Sequence, residues 1–180
     1  MKPIDLSMSV TKSFLLCLCL AVTQQAAAES GTDEDNAYAK KLWEIMRSQN
    51  LIGENRIRSF PFEGHRPHGS IQEVIATDAV VEGHKGRLIV KHNYGADKGI
   101  TPQSVYADDE AQNYVALTIM FQREAGYDED NHNWFWAEYH PDGSVIKYQG
   151  KYLSGRSELC IGCHTTLGGA DREILNGKQH

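Results

Sequence analysis

The residues best suited to chemistry form one C-x-x-C-H sequence near the C-terminus, made of Cys160, Cys163 and His164. Two thiols three positions apart can add to the two vinyl groups of one haem, and a histidine directly after the second thiol can coordinate the iron. The pattern therefore predicts one covalently attached haem c. Cys160 and Cys163 are its expected attachment residues, and His164 is its expected axial iron ligand.

Two other uses of paired cysteines fit this sequence less well. A zinc site of the C-x-x-C type needs a second pair of ligands further along the chain, and His180 is the only cysteine or histidine after His164. A redox C-x-x-C is expected early in a thioredoxin-like βαβ unit, which this position is not. Haem attachment is therefore the interpretation that the motif favours.

The first 28 residues are typical of an export signal. Lys2 and Lys12 flank a short charged region, residues 13–22 are apolar, and three alanines at 26–28 provide a small-residue cleavage site. The apolar run is too short to span a bilayer. We therefore expect a signal peptide at 1–28 and a periplasmic mature chain at 29–180, with no membrane attachment after cleavage. An uncleaved anchor is the alternative. Export agrees with the C-x-x-C-H motif, because bacteria attach haem c after translocation.

The composition of residues 29–180 is suited to a single domain with one core. Removing Lys2, Lys12 and Asp5 with the signal changes the formal net charge from −6 to −7. An acidic surface argues against nucleic acid or anionic lipid as a partner. It is compatible with a basic electron-transfer partner in the periplasm.

Hydrophobic periodicity predicts one helix followed by a sheet. Apolar residues recur every three to four positions between Asp35 and Asn50, as in an amphipathic helix that Thr32 or Asp35 could cap. Residues 54–69, with two prolines and two glycines, are predicted to be a loop. Five strands are predicted, at 71–76, 87–93, 114–122, 133–140 and 145–152. The turn sequence at 141–144 predicts that the last two form an antiparallel hairpin.

The strand at 133–140 is predicted to be covered on both faces, because side chains alternate across a strand and both sets here are bulky. Trp134, Trp136 and Glu138 share one face, and Phe135, Ala137 and Tyr139 share the other. Such a strand belongs to a sheet between two layers. We expect a helix on one side and haem on the other.

Lys91 has an unusual place in the strand at 87–93. It shares a face with Ile89 and follows three consecutive aliphatic residues. Its amine could reach water from the end of the strand, or it could lie in a low-dielectric pocket, where a lowered pKa would make it a nucleophile. His65 and His68, in the predicted loop, lack a third metal ligand nearby and are expected to be solvated.

An ordered series of motifs resembles the cytochrome P-460 family. In chain order these are a strand with a lysine at 86–94, an aliphatic strand at 115–121, and an Asn-Trp strand at 133–139. The Pro-Asp-Gly turn at 141–144 and the C-x-x-C-H sequence at 160–164 follow, and then Asp171. The similarity covers about 68–171, most of the mature chain.

The resemblance implies an α+β fold, with an N-terminal helix, an antiparallel sheet of about five strands and a C-terminal haem-attachment segment. It also implies a homodimer and an iron that is open on the side opposite His164. Lys91 aligns with a lysine that can be bonded to the haem macrocycle, a bond that would alter haem chemistry. Family members with this bond oxidise hydroxylamine. The beta-type cytochromes c′, which lack it, bind nitric oxide or carbon monoxide without turnover.

The function implied by the resemblance is oxidation of hydroxylamine to nitrous oxide or nitric oxide. Glu138 or Glu158 would accept protons, and a periplasmic acceptor such as a cytochrome c would remove the electrons. Catalytically active members can carry a carboxylate five positions before the first haem cysteine, where this chain has Gly155.

Two alternatives belong to other functional classes. The chain could bind nitric oxide or carbon monoxide without turnover, in an apolar pocket lined by Phe121, Phe135 or Tyr139. It could instead be an electron-transfer cytochrome whose second axial ligand is Met120 or His92.

Overall fold

The computed structural model describes residues 29–95, 99–107, 114–167 and 171–175, so the predicted signal peptide and His180 lie outside the described residues. The fold is α+β, as predicted. The helices are α1 (Asp33–Ser48), α2 (Pro102–Ala107) and α3 (Glu158–Leu167), with a 3-10 turn at Glu129–Asn131. The strands are β1 (Phe62–Glu63), β2 (Ile71–Val81), β3 (His84–Tyr94), β4 (Tyr114–Gln122), β5 (Trp134–Tyr139), β6 (Lys147–Tyr148), β7 (Lys151–Tyr152) and β8 (Ser154–Gly155).

Helix α1 begins with a capping box, which confirms the predicted start of the helix. The Thr32 hydroxyl accepts a hydrogen bond from the Asp35 N–H at 3.1 Å, and the Asp35 carboxylate accepts one from the Thr32 N–H at 3.1 Å. Such a cap stabilises a helix by about 1 kcal/mol. The buried side of α1 carries Leu42, Trp43 and Met46, which pack on the sheet.

The main sheet is antiparallel and has the strand order β1-β2-β3-β4-β5-β8. A two-residue turn at Glu82 and Gly83, both with positive φ, joins β2 to β3, which suits a tight hairpin. The register places Lys91 opposite Thr118, and Thr118 opposite Glu138. These three side chains therefore form one row across the three central strands.

The predicted strand at 145–152 is not continuous. The turn at 141–144 is confirmed by the His140 N–H, which donates to the Ser144 carbonyl at 2.8 Å, but the hairpin is reduced to one bridge between Tyr139 and Val145. Residues Gln149 and Gly150 have positive φ and reverse the chain, so β6 and β7 form a separate two-stranded sheet. The short strand β8 then pairs with β5.

The central strands are covered on both faces, as predicted. The α1 face contains the larger core, in which Val90 of β3 and Phe135 of β5 pack with α1. The other face, called the α3 face below, carries Ile89, Met120, Trp134 and Trp136, against which α3 packs. Among the helices in the described ranges, none combines the length and apolar character required to cross a membrane.

Candidate functional site

Three separate elements meet at a cavity of about 20 Å³ on the α3 face. Strand β3 contributes Lys91, the loop before β2 contributes His68, and α3 contributes Cys160 and His164. Apolar side chains of the central strands complete the lining, including Ile89, Ile119, Met120 and Trp136. The structure therefore brings the C-x-x-C-H sequence and the strand lysine to one place, although more than sixty positions separate them in the chain.

The two thiols are presented by one helix. Cys160 and Cys163 are three positions apart in α3, which places them on neighbouring turns of the same side, and both are free. Burial raises the pKa of the Cys160 thiol to about 11. The thiol therefore stays protonated at neutral pH, which argues against the thiolate that a redox C-x-x-C requires.

The His164 imidazole is oriented by a hydrogen bond. Its side chain is buried, and its Nδ1 donates to the Arg172 carbonyl at 2.8 Å. A carbonyl can only accept, so Nδ1 carries the proton and the Nε2 lone pair is left available to a metal. Burial lowers the pKa of His164 to about 4 and keeps the ring neutral. The Trp136 ring packs edge-on at 4.6 Å between ring centres.

Lys91 lies inside the protein, with 5% of the residue exposed. Strand-end snorkelling is therefore the wrong interpretation, and the pocket interpretation is the one that the geometry favours. Burial lowers the pKa of Lys91 to about 8, an effect that the nearby Cys163 thiol opposes. At neutral pH a measurable fraction of such an amine is unprotonated and nucleophilic.

The two predicted proton acceptors have different surroundings. Glu138 is half-buried in the same row as Lys91 and Thr118, and burial raises its pKa. It is close enough to Cys160 to raise the pKa of that thiol. Glu158 is exposed at the start of α3. The structure therefore places Glu138 at the site and leaves Glu158 in solvent.

His68 is a residue that the sequence interpretation missed. The prediction that it is solvated is wrong, because it is partly buried and its ring centre lies 6.2 Å from that of His164. Burial, with smaller effects from Lys91 and His164, lowers its pKa to about 3. His65 is exposed, as predicted. The sequence does show that His68 lies in a Pro-Gly loop directly before a strand. Local periodicity, however, does not predict where such a loop packs on the sheet.

Several predicted pocket residues lie on the wrong face. Phe121, Phe135 and Tyr139 pack in the core beneath α1, so they do not line the cavity. His92 also lies on the α1 face, where its Nε2 donates to the Leu51 carbonyl at 2.9 Å, which excludes it as an axial ligand. Met120, the other predicted axial ligand, does line the cavity.

Gly155 occupies a position where any side chain would be strained. Its φ is +83°, and an added Cβ would lie 2.5 Å from the carboxylate of Asp35, which completes the capping box of α1. A carboxylate at this position would therefore collide with the helix cap. This gives a structural reason for the absence of an acidic residue five positions before Cys160.

A larger cavity of about 560 Å³ lies elsewhere, with Trp43, Arg56, Tyr94 and Tyr114 in its lining. Two of its polar side chains, Arg56 and Tyr94, bond within the protein. Arg56 donates to the Tyr94 hydroxyl at 2.7 Å and to the Glu73 carboxylate at 3.2 Å. Residues with metal-binding or nucleophilic chemistry instead meet at the smaller cavity, so we assign the site there.

The donor set at the smaller cavity fits a covalently attached haem better than a metal ion alone. A zinc ion requires its ligands to converge on one point, and within the described ranges no three His, Cys, Asp or Glu side chains do so. Haem c needs two thiols at its edge and one imidazole at its centre, which is the spacing that α3 supplies. The buried Trp136 Nε1 has no hydrogen-bond partner among the described residues, so a polar group of a ligand could accept from it.

Space for the macrocycle depends on the packing of α3. The cavity of about 20 Å³ is smaller than a haem, so α3 must move away from the sheet to admit one. Cys160 and Ile161 contact the α3 face through apolar packing. The hydrogen bonds seen for α3 run within the helix or to flanking residues such as Arg172. Opening this layer exposes apolar surface and must disturb one of two sets of contacts. One is the His164–Arg172 hydrogen bond, and the other ties the next segment to the sheet, from Trp134 Nε1 to the Asp171 carbonyl at 3.0 Å and from Arg87 to Glu173 at 2.8 Å.

Comparisons with protein-family models, curated proteins and solved structures return no match. The resemblance to the cytochrome P-460 family therefore stays a prediction that rests on the motifs themselves.

Proposed function

We propose that this chain is an exported mono-haem c-type cytochrome that oxidises hydroxylamine to nitrous oxide or nitric oxide. The observation that carries the proposal is the position of the buried Lys91 amine beside the C-x-x-C-H sequence of α3. The P-460 resemblance predicts that Lys91 and the C-x-x-C-H sequence lie together. The local sequence of β3 or α3 does not by itself require this. We further propose that the mature protein is a periplasmic homodimer.

In this proposal Cys160 and Cys163 would hold the haem through thioether bonds, and His164 would coordinate its iron through Nε2. When bound, the haem would supply a coordination position for the nitrogen of hydroxylamine and a carrier for the electrons removed from it. The hydrogen bond from His164 Nδ1 to the Arg172 carbonyl fixes the ring orientation and increases the electron donation of Nε2.

Lys91 would bond through its nitrogen to a carbon of the macrocycle, and this bond would replace one N–H and one C–H bond. The two electrons released would pass to the external periplasmic acceptor, and the two protons would pass to water. Its burial favours this role, because a desolvated amine loses its proton more readily and is then a nucleophile. The row from Lys91 through Thr118 to Glu138 holds the amine on a rigid part of the sheet. The bond would change the electronic properties of the haem, as the resemblance implies.

Glu138 would accept protons released by the substrate. Its raised pKa brings it closer to neutral pH, where a carboxylate exchanges protons more effectively with a weakly acidic group. The electrons would leave to an external periplasmic acceptor such as a cytochrome c. The acidic composition of the chain would favour a partner with a basic surface.

A second function is favoured by a specific observation. Ile89, Met120 and Trp136 give the cavity an apolar lining, which suits binding of nitric oxide or carbon monoxide without turnover. This alternative requires no bond from Lys91 to the haem. Whether the Lys91 nitrogen is bonded to the haem therefore distinguishes the two functions.

The decisive experiment is proteolysis and mass spectrometry of the haem-loaded mature protein. We expect the peptide containing Lys91 to remain joined to the haem peptide containing Cys160 and Cys163. The Lys91→Met variant is the control, because it keeps the length and apolar stem of the side chain but has no amine. It should retain thioether-bound haem and show a separate strand peptide.

Hydroxylamine-dependent reduction of an artificial electron acceptor is the second measurement. Turnover by the wild type and its loss in Lys91→Met would support the proposed function. An unlinked haem that binds nitric oxide but gives no turnover would support the alternative. A mature protein that carries no covalent haem would contradict both.

A further inference from the structure

The larger cavity, of about 560 Å³, has no role in the function proposed above. It lies between α1, the segment that follows α1 and the Pro-Asp-Gly turn, on the face of the sheet opposite Lys91. Strands β3 and β4 form its inner wall through His92, Tyr94 and Tyr114. Its volume is within the range of pockets that bind small molecules, roughly 300–1,000 Å³.

Aromatic rings form the walls of this cavity. The Tyr114 ring centre lies 5.6 Å from that of His92 and 5.7 Å from that of Tyr94. Trp43 of α1 forms another wall, and the Pro-Asp-Gly turn fits closely against it, since an added Cβ at Gly143 would lie 2.5 Å from the Trp43 ring. Rings packed in this way keep their positions, so the cavity is preformed and suits a planar, apolar ligand.

His92 brings a hydrogen-bond acceptor to the inner wall. The residue is 3% exposed, and the bond from its Nε2 to the Leu51 carbonyl at 2.9 Å is the only hydrogen bond of the ring among the described residues. Burial lowers the pKa of His92 to about 4, so the ring is neutral and Nδ1 carries a lone pair instead of a proton. A buried acceptor without a partner is costly, so the wall favours a ligand that donates a hydrogen bond.

Tyr114 adds a hydroxyl to the same wall. Burial raises the pKa of Tyr114, so the hydroxyl stays protonated, and no described group forms a hydrogen bond with it. The charged side chains among the described lining residues are two basic and two acidic ones, Arg47, Arg56, Glu54 and Asp142. Their formal charges cancel, which favours a neutral ligand over an ion.

We propose that this cavity binds a phenol, that is, a neutral, planar aromatic molecule whose hydroxyl donates a hydrogen bond to Nδ1 of His92. The aromatic walls enclose the ring of the ligand, and the Tyr114 hydroxyl provides a second hydrogen-bonding group. Binding makes and breaks no covalent bond. The site does not require haem, so the inference is independent of the proposed function.

The test is isothermal titration calorimetry of the purified mature protein with β-naphthol at neutral pH. The matched control ligand is β-naphthyl methyl ether, which keeps both rings and the oxygen but has no O–H to donate. We expect β-naphthol to bind at a single site. The ether should bind about tenfold more weakly or worse, because it leaves the His92 acceptor unpaired.

Two variants locate the ligand. His92→Phe keeps an aromatic ring in the wall but has no acceptor, so it should bind β-naphthol and the ether with similar affinity. Tyr114→Phe removes only a hydroxyl and should weaken β-naphthol binding about threefold or more, which keeps the inference testable if His92→Phe does not fold. Thr165→Ala, an exposed change on α3, is the control and should bind as the wild type does.

The outcomes separate this inference from the proposed function. A wild type that does not bind β-naphthol, or that binds the ether equally well, would overturn the inference even if hydroxylamine is oxidised. A preference for β-naphthol that both His92→Phe and Tyr114→Phe retain in full would also overturn it, because the ligand would then lie elsewhere. A mature protein that lacks covalent haem but binds β-naphthol through His92 would support the inference and contradict the proposed function.

Discussion

The two faces of the central sheet are made by the same strands, and they differ in what their side chains can do. The α1 face packs aliphatic and aromatic residues such as Leu42 and Phe135 into a dry core. The α3 face carries Lys91 and Glu138, with His164 and Cys160 contributed by α3. Alternation along each strand separates these sets, so substitutions on one face can alter folding while those on the other alter chemistry.

The largest effect is expected from removal of both thiols. The Cys160→Ala/Cys163→Ala protein should lose all covalent haem and should keep its sheet, because the α1 face contains most of the core. Haem staining after denaturing electrophoresis and far-ultraviolet circular dichroism would measure the two properties. Thr165→Ala, an exposed change on the same helix, should keep the haem. Loss of the sheet along with the haem would show that the two faces are not independent.

The reciprocal change is Leu42→Ala on the α1 face. Leu42 is fully buried beneath the sheet, and removing its side chain leaves a cavity that should lower the free energy of unfolding by about 2–5 kcal/mol. Urea denaturation of the haem-free double variant would give the value without interference from haem. The folded fraction of a Leu42→Ala protein that keeps its cysteines should still carry covalent haem. A loss below 1 kcal/mol would mean that α1 is not part of the main core.

Lys91→Met, in the same haem-free background, should change the free energy of unfolding in the opposite direction. The charged amine is held in a buried, mainly apolar site, so replacing it with an apolar side chain of similar length should raise the free energy of unfolding by about 1–3 kcal/mol. The measurement is again urea denaturation at pH 7. Destabilisation would indicate that the amine has a stabilising partner and that the α3 face is also built for stability.

The smallest effect is expected from a titratable group on the α1 face. Burial lowers the pKa of His92 to about 4 from an ordinary value of 6.5. The unfolded chain therefore binds a proton more readily, and the contribution of His92 to stability is present above pH 6.5 and is lost as the pH falls towards 4. Between pH 7 and pH 5.5 the loss should be about 1 kcal/mol.

Thermal or urea unfolding at several pH values would measure this loss. His92→Gln should have a shallower decline in stability over that range than the wild type, although it also loses the hydrogen bond to the Leu51 carbonyl. Thr165→Ala, which alters an exposed residue without a titratable group, is the control and should follow the wild-type profile. Parallel profiles for His92→Gln and the wild type would contradict the prediction.

Local sequence patterns predicted much of the fold. The three-to-four periodicity and the Thr32–Asp35 cap located α1, and the alternation in 133–140 correctly assigned its side chains to two faces. These features depend on neighbouring residues, which a sequence displays directly. The strand at 145–152 was less predictable, because positive φ at Gln149 and Gly150 interrupts a pattern that otherwise suits a strand.

The sequence by itself determined which chemistry is present: two thiols and an imidazole at fixed spacing, and a lysine on the face opposite the aliphatic core. Only the tertiary structure decided which groups meet. It brought His68 beside His164, placed Phe121 and His92 on the far side of the sheet, and left Glu158 exposed while it partly buried Glu138. The physical reason is that motif spacing and strand alternation act over a few residues. The position of a loop or helix on a sheet depends on packing between distant segments.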